Sequence, residues 1–139
     1  MDVPDKGTKQ EDVIFRNVYV TAFIASKWWP NNKGHVLIVP NKHFENIYEL
    51  PKEYAAEIHR AAQLTAYAMK DTYGCDGITT RQHNEPAGSQ DVWHYHLHVY
   101  PRYKRDFFYF TKGYQTNPHK RLVYAKKLKS WIDSYLYNE

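Results

Sequence analysis

The chain has a single cysteine, Cys75, among 139 residues. This excludes an intrachain disulfide framework and any zinc module built on cysteines. No apolar run is long enough to span a membrane. The stretch Met1-Asp2-Val3-Pro4-Asp5-Lys6-Gly7 lacks the apolar segment of a secretory signal, so the expected compartment is the cytoplasm. Internal repeats, low-complexity segments and linkers are also missing. Neither charge sign dominates: 19 Lys and Arg face 15 Asp and Glu, a net +4. That modest excess suits anionic partners such as nucleotides or nucleic acid without specifying one.

What is present is enough for one compact domain. Hydrophobic residues make up 42% and charged residues 24%, the balance of a soluble chain with a real core. Thirteen tyrosines raise the aromatic share to 17%, so part of that core is expected to be rings whose polar ends reach water or a ligand. Residues 1–11 are expected to be a loose segment and residues 12–139 a single domain. Val13 to Phe15 and Val18 to Ile24 read as strands with a turn at Arg16-Asn17. Ser26 to Gly34 reads as a loop, and His35 to Val39 as a strand stopped by Pro40. Leu50 to Tyr73 is the clearest helix, with Pro51 in its first turn and Gly74 as its stop. Its less polar face carries Tyr54, Ile58, Ala61, Ala62, Thr65, Ala68, Met69 and Tyr73. Asp76 to Arg81 reads as a strand and Gln82 to Gln90 as a polar loop. Asn117 and Pro118 cap a final helix with Leu122, Ala125, Leu128, Ile132 and Leu136 on one face. Strands that follow one another directly point to an α+β fold with a mainly antiparallel sheet, one long central helix and a C-terminal helix.

Three histidines stand at alternate positions in Val92-Trp93-His94-Tyr95-His96-Leu97-His98-Val99-Tyr100. On a strand this spacing puts His94, His96 and His98 on one face and Trp93, Tyr95, Leu97 and Val99 on the other. A core strand has little need for three polar rings in a row, each requiring partners if buried. Four uses of the row compete: satisfied packing, a metal site, nucleophilic catalysis, and phosphate binding without turnover. One ion held by all three is hard to build, because i and i+4 on a strand lie about 13 Å apart. Two neighbours joined by His35 or His83 would serve, so a metal-dependent hydrolase stays open. An imidazole is nucleophilic near neutral pH and can attack phosphorus, with its neighbours neutralising the phosphoryl oxygens. His96, with an imidazole on either side, is the best-placed nucleophile.

His94-Tyr95-His96-Leu97-His98-Val99-Tyr100 resembles the signature of the histidine triad (HIT) superfamily. Gly34-His35-Val36-Leu37-Ile38-Val39-Pro40, Leu50-Pro51 and Tyr73-Gly74-Cys75-Asp76-Gly77 fall in the family's order. Asn84, Gln90-Asp91-Val92 and Pro101-Arg102 flank the row as in the nucleotide-hydrolysing branches, and the likeness covers roughly residues 13–105. The resemblance implies a purine-nucleotide hydrolase or transferase, commonly a homodimer joined edge to edge. It implies a nucleotidyl-histidine on His96, with His94, His98 and His35 as its catalytic companions and Asn84 and Gln90 around the phosphates. No cofactor is expected to be required, although a divalent cation can accompany the substrate; membranes and nucleic acid are not expected partners. A non-catalytic nucleotide-binding protein is the alternative.

Two departures bear on the substrate. The first loop lacks the family's ribose-binding acid, leaving Ser26, Lys27 or Asn31 to replace it. Asp91 stands where a Ser or Thr often follows the glutamine. Trp28 and Trp29 are candidates for stacking on a base or for burial. Arg102 and Lys104 are candidates for drawing anions or for structure, and His43, His59 and His119 read as ordinary histidines.

Overall fold

The computed structural model describes residues 7–139. Seven strands and two helices form: β1 (Val13–Arg16), β2 (Val20–Ile24), β3 (Lys27–Trp28), β4 (Val36–Pro40), α1 (Lys52–Thr72), β5 (Gly77–Gln82), β6 (Leu97–Arg102), β7 (Tyr114–Gln115) and α2 (Pro118–Tyr137). Five strands make one antiparallel sheet in the order β1-β2-β4-β6-β5, and β3 pairs with β7. The fold is α+β, as the direct succession of strands implied.

β2 and β4 are buried along their whole length, which is why Val36 to Val39 reads as a continuous apolar run and Val20 to Ile24 as one interrupted only by Thr21, whose hydroxyl donates to Asn41 Oδ1 at 2.6 Å. The turn before β2 is held by Asn17, whose Oδ1 accepts from the N–H groups of Tyr19 and Val20 at 2.8 and 2.9 Å. One face of α1, through Ile58, Ala61, Ala62, Leu64, Thr65, Ala68 and Met69, packs into the core. Asn117 caps α2 by accepting from the Lys120 N–H at 2.9 Å. Gly34 takes φ +79°, and a side chain there would strike the Tyr73 hydroxyl and the Tyr124 ring. Glycine thus permits both the turn into β4 and the hydrogen bond from Tyr73 Oη to the Gly34 carbonyl.

Several elements differ from the sequence reading. Of the segment 1–11, residues 1–6 lie outside the described residues, and the rest meets α2 through one buried side chain. Arg121, fully buried on the inner face of α2, donates to the Gly7 carbonyl at 2.7 Å and pairs with buried Asp12 at 3.0 Å. Arg121 rather than Leu122 is thus the buried residue of the first turn of α2, and breaking the pair costs about 3–5 kcal/mol because a buried charge is left alone. The loop 26–34 contains a short strand, because Lys27 and Trp28 find partners in Gln115 and Tyr114. The histidine strand begins only at Leu97, not at Val92. Before it, the Tyr95 N–H bonds to the Phe44 carbonyl at 2.7 Å instead of a sheet neighbour, and Trp93 is 48% exposed rather than packed inward.

Candidate functional site

His98 lies on β6, opposite Leu37 of β4 and Arg81 of β5. His94 and His96 belong to the irregular approach to that strand, and His35 immediately precedes β4. A cavity of about 270 Å³ opens over this junction. Its walls include His35, His96 and His98; Ser26 and Lys27 after β2; Arg81 and His83 from the end of β5; Ser89 and Asp91 from the next loop; and Trp29, Leu37 and Tyr100.

The hydrogen bonds of the rings define their chemistry. His96 Nδ1 lies 2.9 Å from the His94 carbonyl oxygen. A carbonyl only accepts, so Nδ1 carries a proton, and in the neutral ring Nε2 keeps its lone pair. His94 Nε2 lies 3.0 Å from the Pro40 carbonyl and its Nδ1 lies 3.2 Å from His43 Nδ1. His98 Nδ1 meets Tyr100 Oη at 3.1 Å. The centroids of the His96 and His98 rings are 5.1 Å apart, and those of His35 and Tyr100, which stack, 4.4 Å apart.

Charge is suppressed along this wall. Burial, with the nearby Arg81 cation adding to it, pushes the His35 imidazole down to about 3. Burial is also the main reason His98 sits well below its ordinary value, with His35, His96, His83 and Arg81 adding to it. Burial, with Arg81 and His96 adding to it, lowers His83, and Asp91 partly restores it. Burial pushes the Tyr100 hydroxyl upward, so it remains a hydrogen-bond donor.

Of the residues singled out in the sequence, His35, His83, His96, His98, Ser26, Lys27 and Asp91 meet at the cavity. His94 stands behind it, against Pro40 and His43. Asn84 points elsewhere: its amide exchanges hydrogen bonds with Gln82 and accepts from the Ile47 N–H. Gln90 accepts from the Glu85 N–H and donates to the Glu45 and Val92 carbonyls, pinning the loop that carries Asp91. That loop holds Glu85 and Ser89 at φ +66° and +72°, a conformation costly for side-chain-bearing residues that such pinning maintains. Asn31 donates to the Asp106 carbonyl instead of facing the cavity. Arg102 is committed to Asp106 and Thr79. Trp28 is buried and Trp29 lines the cavity.

Arg81 was not anticipated, whereas His83, already named as a possible partner of the row, stands at the wall and Asn84 does not. Both sit at alternate positions of β5 and its continuation, on the face set by the Arg81–His98 register. Alternation along Thr79, Arg81 and His83 was the signal, and it needed the pairing with β6 to acquire a direction.

Comparison with known proteins matches this architecture. The chain is 34% identical over 90 residues to the Bacillus subtilis "Protein hit", covering 65% of this chain and 61% of that protein. It is 29% identical over 99 residues to a bis(5'-adenosyl)-triphosphatase of Dictyostelium discoideum, covering 71% and 65% of the two chains. The crystal structure of a HIT-like protein from Bartonella henselae superposes with a TM-score of 0.77 at 29% identity, over 86% of this chain and 85% of that one. The HIT domain family model matches residues 6–105, and with most of its length so matched the chain belongs to the HIT family.

Proposed function

We propose that the chain is a nucleotide hydrolase or transferase acting at the α-phosphorus of a purine nucleotide conjugate. The observation that carries this reading is His96, whose Nδ1–H is fixed on the His94 carbonyl while its ring lines the cavity. The fixed tautomer supplies a nucleophilic nitrogen without prior deprotonation. His96 Nε2 attacks the α-phosphorus, a P–N bond forms, and the bond to the leaving group breaks with its electron pair departing on that group. Water then attacks the nucleotidyl-histidine, giving the nucleoside monophosphate and restoring His96. His98, neutral and hydrogen-bonded to Tyr100, is placed to donate to a phosphoryl oxygen. Ser26 and Lys27 stand in for the missing ribose-binding acid. The triphosphatase among the relatives supports a phosphoanhydride substrate, and a phosphoramidate shares the same first step. A homodimer joined along a sheet edge is part of the same reading.

The test is release of AMP from diadenosine triphosphate and from adenosine 5'-phosphoramidate. His96→Ala is expected to lower both by 10³-fold or more, since loss of a covalent nucleophile removes the pathway itself. Unchanged turnover in His96→Ala would rule the mechanism out. Nucleotide binding by calorimetry with no product from the wild-type chain would favour a binding protein instead.

A further inference from the structure

Among the described residues Arg60, Arg102 and Arg121 each hold a carboxylate at 2.8–3.0 Å, while Arg16, Arg81 and Arg105 are in no ion pair, and of these three only Arg81 stands at the cavity. Aromatic faces hold it instead: its guanidinium carbon lies 4.6 Å from the Phe108 ring centroid and 5.3 Å from that of Tyr100. Such stacking orders the planar group and strips part of its hydration while leaving the N–H fork for a ligand.

The surroundings favour an anion as that ligand. His35 and His98 are neutral at neutral pH. Lys27 and Arg81 are the lysine and arginine of the lining, and Asp91 is its carboxylate, which leaves one net positive charge. Position then separates the two cations. β6 lies between β4 and β5, so the row has two flanks. Ala25, Lys27 and Leu37 come from the β2–β4 side, and Arg81 and His83 from the β5 side. At an α-phosphorus on His96, nucleoside and leaving group must run in different directions. The β2–β4 flank, with its apolar surface, suits the nucleoside.

We propose that Arg81 determines specificity for the leaving group. It receives an oxyanion, such as a phosphate chain or a sulfate, so the site favours nucleotidyl anhydrides over amidates that release an amine. The proposal rests on the reading of His96 as nucleophile. When the His96 Nε2–P bond forms and the P–O bond of an anhydride breaks, the leaving oxygen keeps the electron pair as a stable oxyanion. Arg81 offsets that charge with no proton transfer, whereas a departing amine must gain a proton and draws nothing from a fixed cation.

The experiment compares kcat/KM for diadenosine triphosphate with kcat/KM for adenosine 5'-phosphoramidate. Arg81→Met keeps an unbranched side chain of similar reach and removes the guanidinium. The anhydride-to-amidate ratio is expected to fall roughly 10- to 100-fold, the scale of a charge-assisted hydrogen-bonded pair. Arg81→Lys, which keeps a charge without the fork, is expected to fall in between and serves if the methionine variant does not fold. An unchanged or raised ratio in a folded variant overturns the proposal. A binding arm separates this failure from failure of the mechanism. In a His96→Ala background, Arg81→Met should weaken calorimetric affinity for diadenosine triphosphate relative to the phosphoramidate by a similar factor. An equal effect on both ligands overturns the role of Arg81, whereas turnover that survives His96→Ala overturns the nucleophile.

Discussion

Two pairs of histidines share one site and are held in opposite ways. His94 and His96 lie in the irregular approach to β6, and each spends a ring nitrogen on a backbone carbonyl, of Pro40 and of His94 respectively. His98 lies on β6 and His35 just before β4, and both lean on the Tyr100 ring. Carbonyls fix which nitrogen bears the proton, because they only accept. The buried aromatic wall fixes that the ring bears no charge, because burial penalises the cation. A nucleophile needs the first control and a neutral donor the second, so the division matches the roles proposed for His96 and His98.

The largest effect that separates the pairs is on acid stability. In the folded protein His35 stays neutral down to about pH 3, whereas in the unfolded chain it titrates near 6.5. Between those values the unfolded state binds more protons, so stability falls as pH drops from about 6.5 toward 3. His98, lowered in the same direction, adds to this loss. Asp106, held well below the carboxylate range chiefly by Arg102, adds its own only below about pH 4. Thermal melts between pH 7 and 4 should show this decline, and His35→Phe should remove on the order of a few kcal/mol of it. If His35→Phe lost stability with acid as steeply as the wild type, the neutral wall would carry no such linkage.

Turnover should divide the histidines next. His98→Phe removes a donor at the cavity and is expected to lower kcat by roughly 10²-fold. His94→Phe leaves the anchor of His96 intact, because that anchor is the backbone carbonyl of residue 94 rather than its ring. Its cost should stay below about tenfold. Equal losses in the two variants would mean that the His94 ring, with its contact to His43, takes a larger part than its position behind the cavity implies.

Much of the fold was legible because period and punctuation agree: Pro51 and Gly74 bracket α1, Asn117 caps α2, and β2 and β4 are short, mostly apolar runs. The row of histidines was legible as a site because polar rings at alternate positions have no packing rationale. What stayed hidden depends on partners distant in sequence. Nothing local to Arg121 announces its burial, since its reason is Asp12, 109 positions away. Asn84 looked like a phosphate ligand, but Gln82 and the Ile47 N–H take its amide, and His83 faces the cavity. The late start of β6 was invisible because the alternation runs through residues 92–96, before the sheet pairing begins at Leu97. Arg81 acquired meaning only once β5 was set beside β6 in register.

The smallest effect sharpens the aromatic wall itself. Tyr100 Oη meets His98 Nδ1 at 3.1 Å, and burial raises the pKa of that hydroxyl, so it keeps its proton. With Tyr100 donating, His98 Nδ1 accepts and Nε2 carries the hydrogen, the nitrogen left for a phosphoryl oxygen. Tyr100→Phe keeps the ring against His35 and removes only this constraint, so the two tautomers of His98 approach equal population. The cost of halving the competent form, plus one lost hydrogen bond, is about 0.5–1.5 kcal/mol, or roughly two- to tenfold in kcat. Imidazole ¹⁵N shifts of His98 read the tautomer directly. A wild-type protein with Nδ1 protonated would reverse the assignment and make His98 an acceptor at the cavity, and Tyr100→Phe should then leave kcat nearly untouched.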